Sequence, residues 1–420
     1  MLIDNTRNRI VCLSQDPKTI FSYGLQVLEL IKGLPKFQFH VISSQYQYGR
    51  PYEDKDYPYV TWANEGDGAR TTSTLKKVIE YTYPVCVFSM GDIHHHPGVN
   101  IGKPLQVPWV SWFPWDNHDV PAMLRAQQAI LSPDIKITMN KFSFDLMNKY
   151  NLQIDDWIYN IVNTQVFRPL TKEEFDKQQM ILQNPKIADK KILLFVGRPS
   201  WRKNLEFLMG AFKELCRRRD DVLLYLHVDF QDQGIPDKPD LNKIIHGLGL
   251  KDKMLSTEQN RWTTGVDSSF LNRLYNLCDL YVSPHGGEGF GLPVCEAMAT
   301  GIPFIATDCT SMPEFAGNDE RGLLAKQEKS VREKGVLRPW VDVKDFVNKI
   351  DYLLDNDDVR KKMGQNGMKW VKKNCSHNVV IPKWRDVFTR LEIPFCSVDK
   401  RATEVEWSEK YASMEMVPEQ

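Results

Sequence analysis

The sequence predicts an α/β fold with two doubly wound domains, and three observations favour it. Short apolar runs alternate with amphipathic, helix-like stretches through the first half of the chain, which is the pattern of parallel βα units. The same alternation starts again near residue 190. In that second series a glycine-rich turn separates a strand-like run from a helix. The halves share no visible sequence repeat, so only the architecture is repeated.

The apolar runs predict the strands of the two sheets. Between several of them lie stretches such as YGLQVLELIKGL and TTSTLKKVIEYT, which have apolar residues at helical spacing. Pro169 precedes a charged helix start and predicts a linker, so the domains span residues 1–168 and 169–382. The runs are residues 9–14, 37–43, 58–62, 84–89, 107–112 and 134–139 in the first half, and ILLFV, VLLYLHV, LYVSP and PFIAT in the second.

The segment from Ser283 to Pro313, SPHGGEGFGLPVCEAMATGIPFIATDCTSMP, predicts a phosphate-binding unit. Its glycine turn follows LYVSP, opens a helix and leads to PFIAT. Small residues let the backbone approach an anion, and free N–H groups at a helix N-terminus point towards it. A diphosphate is therefore the first ligand hypothesis.

Two carboxylates flank this turn, Glu288 before it and Glu296 within the helix. They would repel a diphosphate unless they face another part of the ligand. A carboxylate accepts two hydrogen bonds in one plane, which suits vicinal hydroxyl groups. We therefore expect one carboxylate to hold a transferable sugar and the other a ribose.

These residues carry a family resemblance. EGFGLPVCE, followed by AMATGIPFIATD, resembles the signature of the retaining, family-four type glycosyltransferases. The resemblance implies the GT-B fold, in which two Rossmann-like domains face a central cleft and a C-terminal helix, here within residues 383–420, crosses back to the first domain. It also implies that Glu288 orients the sugar. The donor-binding residues that it implies in this segment are Gly289, Phe290, Gly291, Leu292 and Glu296.

The implied activity is transfer of a sugar from a nucleotide-diphosphate-sugar to an acceptor hydroxyl, with retention of anomeric configuration. The nucleotide-sugar is a donor substrate, and no cofactor is expected. The resemblance favours a front-face route in which the leaving phosphate helps to deprotonate the acceptor.

A second segment, KILLFVGRPSWRKNLEFL, matches the family independently. It predicts a buried strand, a turn at Gly197 and an amphipathic helix. In such glycosyltransferases an Arg and a Lys after this strand hold the donor diphosphate, and Arg198 and Lys203 fit that pattern, with Arg202 as an alternative to Lys203. These cations would stabilise the leaving group where other enzymes use a metal ion. No Asp-x-Asp pair stands where a metal-nucleotide site needs one, so the predicted chemistry is metal-independent.

The first domain is expected to supply the acceptor side of the cleft. TIFSYGLQVLEL resembles the family's glycine loop, and Gly24 is the matching donor-binding residue, although its surroundings depart from Gly-Gly-x-Gly. The alternative is that Gly24 only breaks a helix start. In PWVSWFPWDNHDVP, Asp116 and His118 both match a family position that contacts the sugar or the acceptor. Asp116 is the first choice, because an aromatic-proline string precedes it, as in some family members.

Aromatic residues recur in the same stretch. Trp109, Trp112 and Trp115 follow each other at a spacing of three. Such a cluster is typical of a core, and the alternative is a platform for a sugar or a base.

Charge and composition limit the partners. The chain has 54 Lys and Arg against 54 Asp and Glu, and residues 1–170 have 16 against 16. Binding to DNA or to an anionic membrane usually needs a basic field, so a carbohydrate or other hydroxyl acceptor is favoured over a nucleic acid. No run approaches the roughly 20 apolar residues of a membrane span, and the first residues do not resemble a secretory signal, so a cytoplasmic protein is predicted.

Cysteine and histidine patterns predict no metal site. The eight cysteines lack metal-ligand spacing and are expected to be reduced thiols. His94 to His96 are adjacent, so their side chains point in different directions and do not easily chelate one ion.

Rival functions stay open at this point. They are a glycosyltransferase acting on a modified nucleic-acid base, a sugar phosphorylase or synthase of the same architecture, and a non-catalytic nucleotide-binding subunit. The intact set of predicted donor residues argues against the last. The sequence leaves undefined the sugar, the acceptor, the oligomeric state and the nucleobase of the donor. The loop from Arg261 to Asp267 is expected to contact that nucleobase.

Overall fold

The structure is a computed structural model that describes residues 3–4, 6–19, 22–46, 48–64, 69–92, 107–119, 130–176, 184–235, 238–258, 266–333 and 336–391. His94 to His96, most of the predicted nucleobase loop and residues 392–420 of the predicted crossing segment lie outside the described residues.

The first domain contains an eight-stranded sheet. Its strands are β1 (Asn8–Ser14), β2 (Phe37–Ser43), β3 (Tyr52–Glu53), β4 (Tyr59–Ala63), β5 (Cys86–Met90), β6 (Trp109–Phe113), β7 (Ile135–Thr138) and β8 (Asp156–Trp157). The order is β3-β4-β2-β1-β5-β6-β7-β8, and all pairs are parallel except β3 with β4. Every residue of β2 is buried, as expected for a parallel sheet covered on both faces. Each of the six predicted runs overlaps a strand, whereas β3 and β8, of two residues each, had no sequence signal.

Three described helices accompany this sheet: α1 (Ser22–Gly33), α2 (Ala69–Thr82) and α3 (Lys141–Lys149). Helix α1 buries Val27, Leu30 and Ile31, which share one face at helical spacing. Asn140 caps α3, because its side chain accepts a hydrogen bond from the Ser143 amide at 2.7 Å.

The second domain contains a six-stranded parallel sheet. Its strands are β9 (Lys191–Val196), β10 (Val222–His227), β11 (Met254–Ser256), β12 (Leu280–Ser283), β13 (Phe304–Thr307) and β14 (Gly322–Ala325). The order β11-β10-β9-β12-β13-β14 reverses its direction between β9 and β12. Ligands of open α/β sheets bind at such a switch point, beyond the carboxyl ends of the strands.

Eight described helices belong to this half of the chain. They are α4 (Leu205–Arg218), α5 (Leu241–Gly247), α6 (Ser268–Leu277), α7 (Leu292–Ala299), α8 (Met312–Ala316), α9 (Val343–Asp355), α10 (Asp357–Asn374) and α11 (His377–Arg390). Among the described helices, none is both long and apolar enough to cross a lipid bilayer.

The last helix, α11, packs on the first domain, as predicted for the crossing helix. Trp384 lies with its ring centre 5.1 Å from that of Phe88 and 5.0 Å from that of Trp112, and Phe388 contacts Phe37 at 5.8 Å. The helix begins at His377 and continues through Pro382, so the boundary expected at residue 382 falls inside it. The domain limits stay predictions.

A β-hairpin outside both sheets was not predicted. It consists of β15 (Gln327–Glu333) and β16 (Val336–Val341), which pair antiparallel between β14 and α9. Its sequence is charged and contains no apolar run, so it lacked the signal by which the sheet strands were found.

Candidate active site

Predicted donor residues meet at the switch point of the second sheet. Lys203 ends a 3-10 turn, Trp201–Lys203, that follows β9, and Glu288 lies in the turn after β12. The Lys203 ammonium forms an ion pair with the Glu288 carboxylate, and each residue is only 7% exposed. Two residues separated by 85 positions are joined because β9 and β12 are neighbours.

Arg202 binds the same carboxylate. Its Nη1 atom lies 3.2 Å from Glu288 Oε2 and donates to the carbonyl oxygen of Gly287 at 2.7 Å. Burial raises the pKa of Glu288, but the charges of Lys203 and Arg202 outweigh burial and hold the pKa below its usual range. Glu288 is therefore an ionised carboxylate between two cations.

The backbone of Glu288 is held by a strained neighbour. Its amide donates to Thr310 Oγ1 at 2.9 Å. Thr310 has a φ of 46°, which is uncommon for a β-branched residue, and its own amide donates to Nε2 of His118 at 3.4 Å. Backbone strain of this kind concentrates at functional sites, where the surroundings fix it.

Arg198 does not contact Glu288. It forms two parallel hydrogen bonds with the Asp232 carboxylate, at 2.6 and 2.8 Å, and its side chain is half exposed. The two residues predicted to bind the diphosphate, Arg198 and Lys203, therefore have different carboxylate partners. Arg202 joins Lys203 as a second cation at Glu288. Gly197, which precedes Arg198, directly follows β9.

Glu296 lies in α7 with its own partner. The hydroxyl of Tyr275 donates to Glu296 Oε2 at 2.8 Å. Burial raises the pKa of Glu296 to about 8, and the Tyr275 hydrogen bond only partly offsets this effect. The two acidic residues of the signature therefore lie in opposite electrostatic environments.

The glycine turn is fixed from the first domain. The side-chain amide of Asn140 donates to the carbonyl oxygen of Gly289, and a Cβ atom on Gly289 would clash with Pro114. Gly291 has a φ of 95°, the left-handed conformation that glycine adopts without strain, and it leads into α7 at Leu292. Phe290 is buried, with its ring centre 5.2 Å from that of Phe315.

Asp116 of the first domain lies against this site. Its carboxylate is between two guanidinium groups, with Oδ1 3.2 Å from Arg338 Nη2 and Oδ2 3.5 Å from Arg202 Nε. A Cβ atom on Gly287 would clash with the carbonyl oxygen of Asp116, so glycine is required at that position.

His118 lies on the other side of Thr310, beside an open cavity of about 490 Å³ between the domains. Burial lowers the pKa of His118, so its ring is neutral at pH 7. The lining residues are His118, Lys141, Phe142, Asp145, Asp308, Cys309, Thr310, Pro313, Glu314 and Gln327.

Gly24 lies in the first turn of α1, where the chain itself requires a small residue. A Cβ atom there would clash with the carbonyl oxygen of Asp16 and lie 2.6 Å from Thr19 Oγ1. Its neighbour Tyr23 donates to Asp92 at 3.0 Å, beyond the carboxyl ends of β1 and β5. Strand β1 lies between β2 and β5, so this is the switch point of the first sheet.

The aromatic cluster belongs to the core. Trp109 and Trp112 are buried in β6, and Trp115 is 8% exposed. Their indole N–H groups bond to Ser89, to the Ile158 carbonyl and to the Asp119 carbonyl. The core interpretation of these residues is the one that the structure supports.

Four residues at the site were not found by sequence reasoning: Thr310, Asp232, Arg338 and His285, whose Nδ1 atom accepts a hydrogen bond from the Gly287 amide at 3.3 Å. Three of them, Thr310, His285 and Asp232, follow the carboxyl end of a strand. Their position after a strand could have indicated that they lie at the ligand-binding edge of the sheet. Arg338 comes from the unpredicted hairpin and had no local signal. Within the described part of the chain, no group of three or more His, Cys, Asp or Glu residues is arranged to hold a metal ion.

The chain has two facing doubly wound domains, with these residues at their strand ends, which is the GT-B fold. Comparison with solved structures agrees. Sucrose-phosphate synthase from Thermosynechococcus elongatus superimposes with a TM-score of 0.73 at 17% identity, covering 92% of this chain and 99% of that one. The predicted GT-B fold is confirmed. Residues 176–370 match the family described as Glycosyl transferases group 1.

Relatives agree with that assignment. Alpha-D-kanosaminyltransferase of Streptomyces kanamyceticus is 25% identical over 43% of this chain, but the match spans only 40% of that protein. An uncharacterized glycosyltransferase of Methanocaldococcus jannaschii, MJ1178, is 24% identical over 83% of this chain and 89% of its own length. The family resemblance of the sequence is therefore confirmed.

Proposed function

We propose that this protein is a metal-independent glycosyltransferase, which moves a sugar from a nucleotide-diphosphate-sugar to an acceptor hydroxyl with retention of configuration. One observation carries the proposal. The cluster of buried Lys203 and Glu288 with half-buried Arg202 lies at the switch point of the second sheet and faces Asp116 of the first domain. The family match of residues 176–370 supports the same reaction class.

The cations suit a leaving nucleoside diphosphate. Lys203 and Arg202 share one carboxylate, Glu288, so the group has one positive charge in excess before Asp116 is counted. Arg198 adds a second when it exchanges Asp232 for a phosphate. Fixed positive charge in a site shielded from water stabilises the negative charge that grows on the departing diphosphate.

The carboxylates suit the two sugars of the donor. Glu288 is ionised and accepts hydrogen bonds, which fits the hydroxyl groups of the transferred sugar. Glu296 has a separate partner in Tyr275 and is assigned to the ribose. Gly24, Gly197 and the turn from Gly289 to Leu292 bring backbone close to the diphosphate.

Retention is proposed from the family resemblance, and the poor nucleophilicity of Glu288 favours a front-face route over a covalent glycosyl-enzyme intermediate. A carboxylate paired with Lys203 and Arg202 does not readily attack an anomeric carbon. In the front-face route, the bond from the anomeric carbon to the phosphate oxygen breaks while a bond to the acceptor oxygen forms on the same face. The acceptor proton passes to the leaving phosphate, so the products are the glycosylated acceptor and the nucleoside diphosphate.

On the acceptor side, Asp116 is assigned to orient the reacting hydroxyl, because it lies closest to the cation cluster. His118 is assigned to hold Thr310, and through it the amide of Glu288. A neutral first domain favours a carbohydrate or other uncharged hydroxyl acceptor.

The test is a thermal-shift screen of nucleoside diphosphates and nucleotide-sugars, followed by product analysis. We expect a shift with one nucleotide class and, with a hydroxyl acceptor, a glycoside whose anomeric protons in NMR show the donor's configuration. Inverted product would contradict retention. Sugar phosphate formed from a glycoside and inorganic phosphate would identify a phosphorylase instead, and no shift with any nucleotide would contradict the proposal.

Transfer is expected to continue in excess EDTA, because Lys203, Arg202 and Arg198 supply the positive charge for the leaving diphosphate. Initial rates would be compared with and without chelator on the same enzyme preparation. A loss of activity that Mn²⁺ restores would contradict the assignment of the diphosphate to these side chains.

Asp232→Asn is expected to strengthen binding of the bare nucleoside diphosphate, because Arg198 no longer has to leave a carboxylate to reach a phosphate. The Arg198 side chain is half exposed and that of Asp232 is 12% exposed, and ion pairs near the surface are worth about 0.2–1 kcal/mol, so the dissociation constant should fall by up to about five-fold. Calorimetric titration measures this, with Asp252→Asn, a 94% exposed residue of the same domain, as the control. Weaker binding by Asp232→Asn alone would show that Arg198 does not meet the diphosphate.

A further inference from the structure

The hairpin of β15 and β16 is anchored to the second domain beside the candidate site. The ring of Trp340 lies with its centre 5.0 Å from that of Phe207 in α4. Asn204, which has a left-handed φ of 53°, donates from its side chain to the Pro284 carbonyl at 2.9 Å and to the Pro339 carbonyl at 3.4 Å. The base of the hairpin is thus tied to the turn that carries Lys203 and to the strand end that carries Glu288.

Arg338 reaches from this hairpin to the first domain. Its Nη1 donates to the carbonyl oxygen of Asp116 at 2.6 Å, and its Nη2 lies 3.2 Å from Oδ1 of the same residue. The side chain is only 14% exposed. One guanidinium therefore fixes both the backbone and the carboxylate of Asp116, which a single ammonium group cannot do in the same geometry.

The contact lies directly on the turn before Glu288. A Cβ atom on Gly287 would lie 2.5 Å from Arg338 Nη1 and would clash with the Asp116 carbonyl. Gly287, Asp116 and Arg338 therefore pack together at one point where the two domains meet.

Charges of alternating sign connect this point to the predicted donor site. Arg338 pairs with Asp116, Asp116 with Arg202, and Arg202 with Glu288. Without Arg338, Arg202 would be the remaining charged partner of Asp116. Asp116 would then draw Arg202 away from Glu288. The position of Asp116 and the environment of Glu288 thus both depend on a residue outside the two sheets.

We infer that Arg338 is a positioning residue, which holds Asp116 in reacting position against the Glu288 turn, so that the hairpin completes the site across the two domains. This inference rests on the proposed function for the role of Asp116. The contacts themselves do not depend on it.

Kinetics of Arg338→Gln test the inference. A misplacement of about 1 Å in a reacting group lowers rate by up to about 10²-fold, so kcat should fall by about 10- to 100-fold. The dissociation constant of the bare nucleoside diphosphate should stay within about three-fold. Arg338→Lys should recover part of the loss. Arg332→Gln is the matched control, because Arg332 is on the same hairpin, is 63% exposed and lies 3.8 Å from Asp119 of the first domain.

A double variant separates positioning from an independent role. If Arg338 acts through Asp116, Arg338→Gln combined with Asp116→Asn should be no slower than the slower single variant. Multiplied losses, or an Arg338→Gln enzyme as fast as the wild type, would overturn the inference.

Hydrogen exchange tests the same contacts without activity. In ligand-free protein, Arg338→Gln should speed exchange in peptides covering residues 112–117 and 284–290, and Arg332→Gln should not. Unchanged exchange in both peptides would overturn the inference even in an active enzyme. If the wild-type protein transfers no sugar but Arg338→Gln still speeds exchange, the positioning contact stands and only the proposed function is contradicted.

Discussion

Lys203→Met is expected to lower kcat/KM by about 10²-fold or more, the scale for loss of a charged group that stabilises a transition state. Methionine keeps most of the volume of the buried side chain, so the loss reports on charge. The ammonium faces Glu288 at the switch point, where the leaving diphosphate is expected. Initial rates over a range of donor concentrations measure the effect, and Lys243→Met, an exposed residue of α5, is the control.

Stability has to be separated from chemistry in this variant. Removing one partner of a buried ion pair costs about 3–5 kcal/mol, because the remaining charge loses its compensation. Arg202 still binds Glu288, so we expect the lower part of that range. The double variant Lys203→Met with Glu288→Gln should recover melting temperature, since no unpaired carboxylate remains, but it should not recover activity. Near-native turnover in Lys203→Met would show that Lys203 does not serve the leaving group.

Arg198→Ala gives an independent comparison. Its side chain is half exposed and paired with Asp232, so its loss should barely change the melting temperature. A similar fall in kcat/KM in this variant would therefore come from the reaction and not from unfolding.

The strands were predictable where burial is complete. The run FQFHVIS is buried at every position of β2, and ILLFV lies within β9, because a parallel sheet covered on both faces needs continuous apolar runs. The hairpin of β15 and β16 lies outside the sheets, and its residues are mostly half-buried or exposed. Its hydrophobic pattern therefore did not predict strands.

The sequence predicted which residues belong to the candidate site, and that assignment stays a prediction; it did not predict how those residues pair. Glu288 and Lys203 were both assigned to the donor, yet their ion pair depends on the order of strands in the sheet. The environment of Asp116 depends on Arg338, which is 222 positions away. Local sequence reports which chemistry a residue can perform, while the topology decides which partner it meets.

Glu288→Gln and Glu296→Gln are expected to separate the two ends of one donor. If Glu296 binds the ribose, then at a pH above 8, where the carboxyl is ionised, Glu296→Gln should weaken binding of the bare nucleoside diphosphate by about 1–3 kcal/mol, the cost of a lost charged hydrogen bond. Glu288 is assigned only to the transferred sugar. Glu288→Gln should therefore reduce transfer while the bare nucleotide binds as well as before, or more tightly, because Lys203 and Arg202 lose a competing carboxylate.

The pH dependence gives the Glu296 assignment a second readout. Burial raises the pKa of Glu296 to about 8, so the free protein holds a proton there at neutral pH. An ionised carboxylate can accept from both ribose hydroxyls, whereas the protonated form offers fewer acceptor sites. Wild-type affinity for the nucleoside diphosphate should thus rise as pH passes through about 8, and the rise should be absent in Glu296→Gln.

Calorimetric titration of both variants with the bare nucleoside diphosphate and with the intact donor tests this division directly. Glu206→Gln, an exposed residue in the first turn of α4, is the control for removal of a negative charge from this domain. The intact donor should lose affinity in both variants, since each carboxylate then lacks its own part of the ligand. Equal losses of affinity for the bare nucleotide would show that Glu288 and Glu296 do not divide the donor between sugar and ribose.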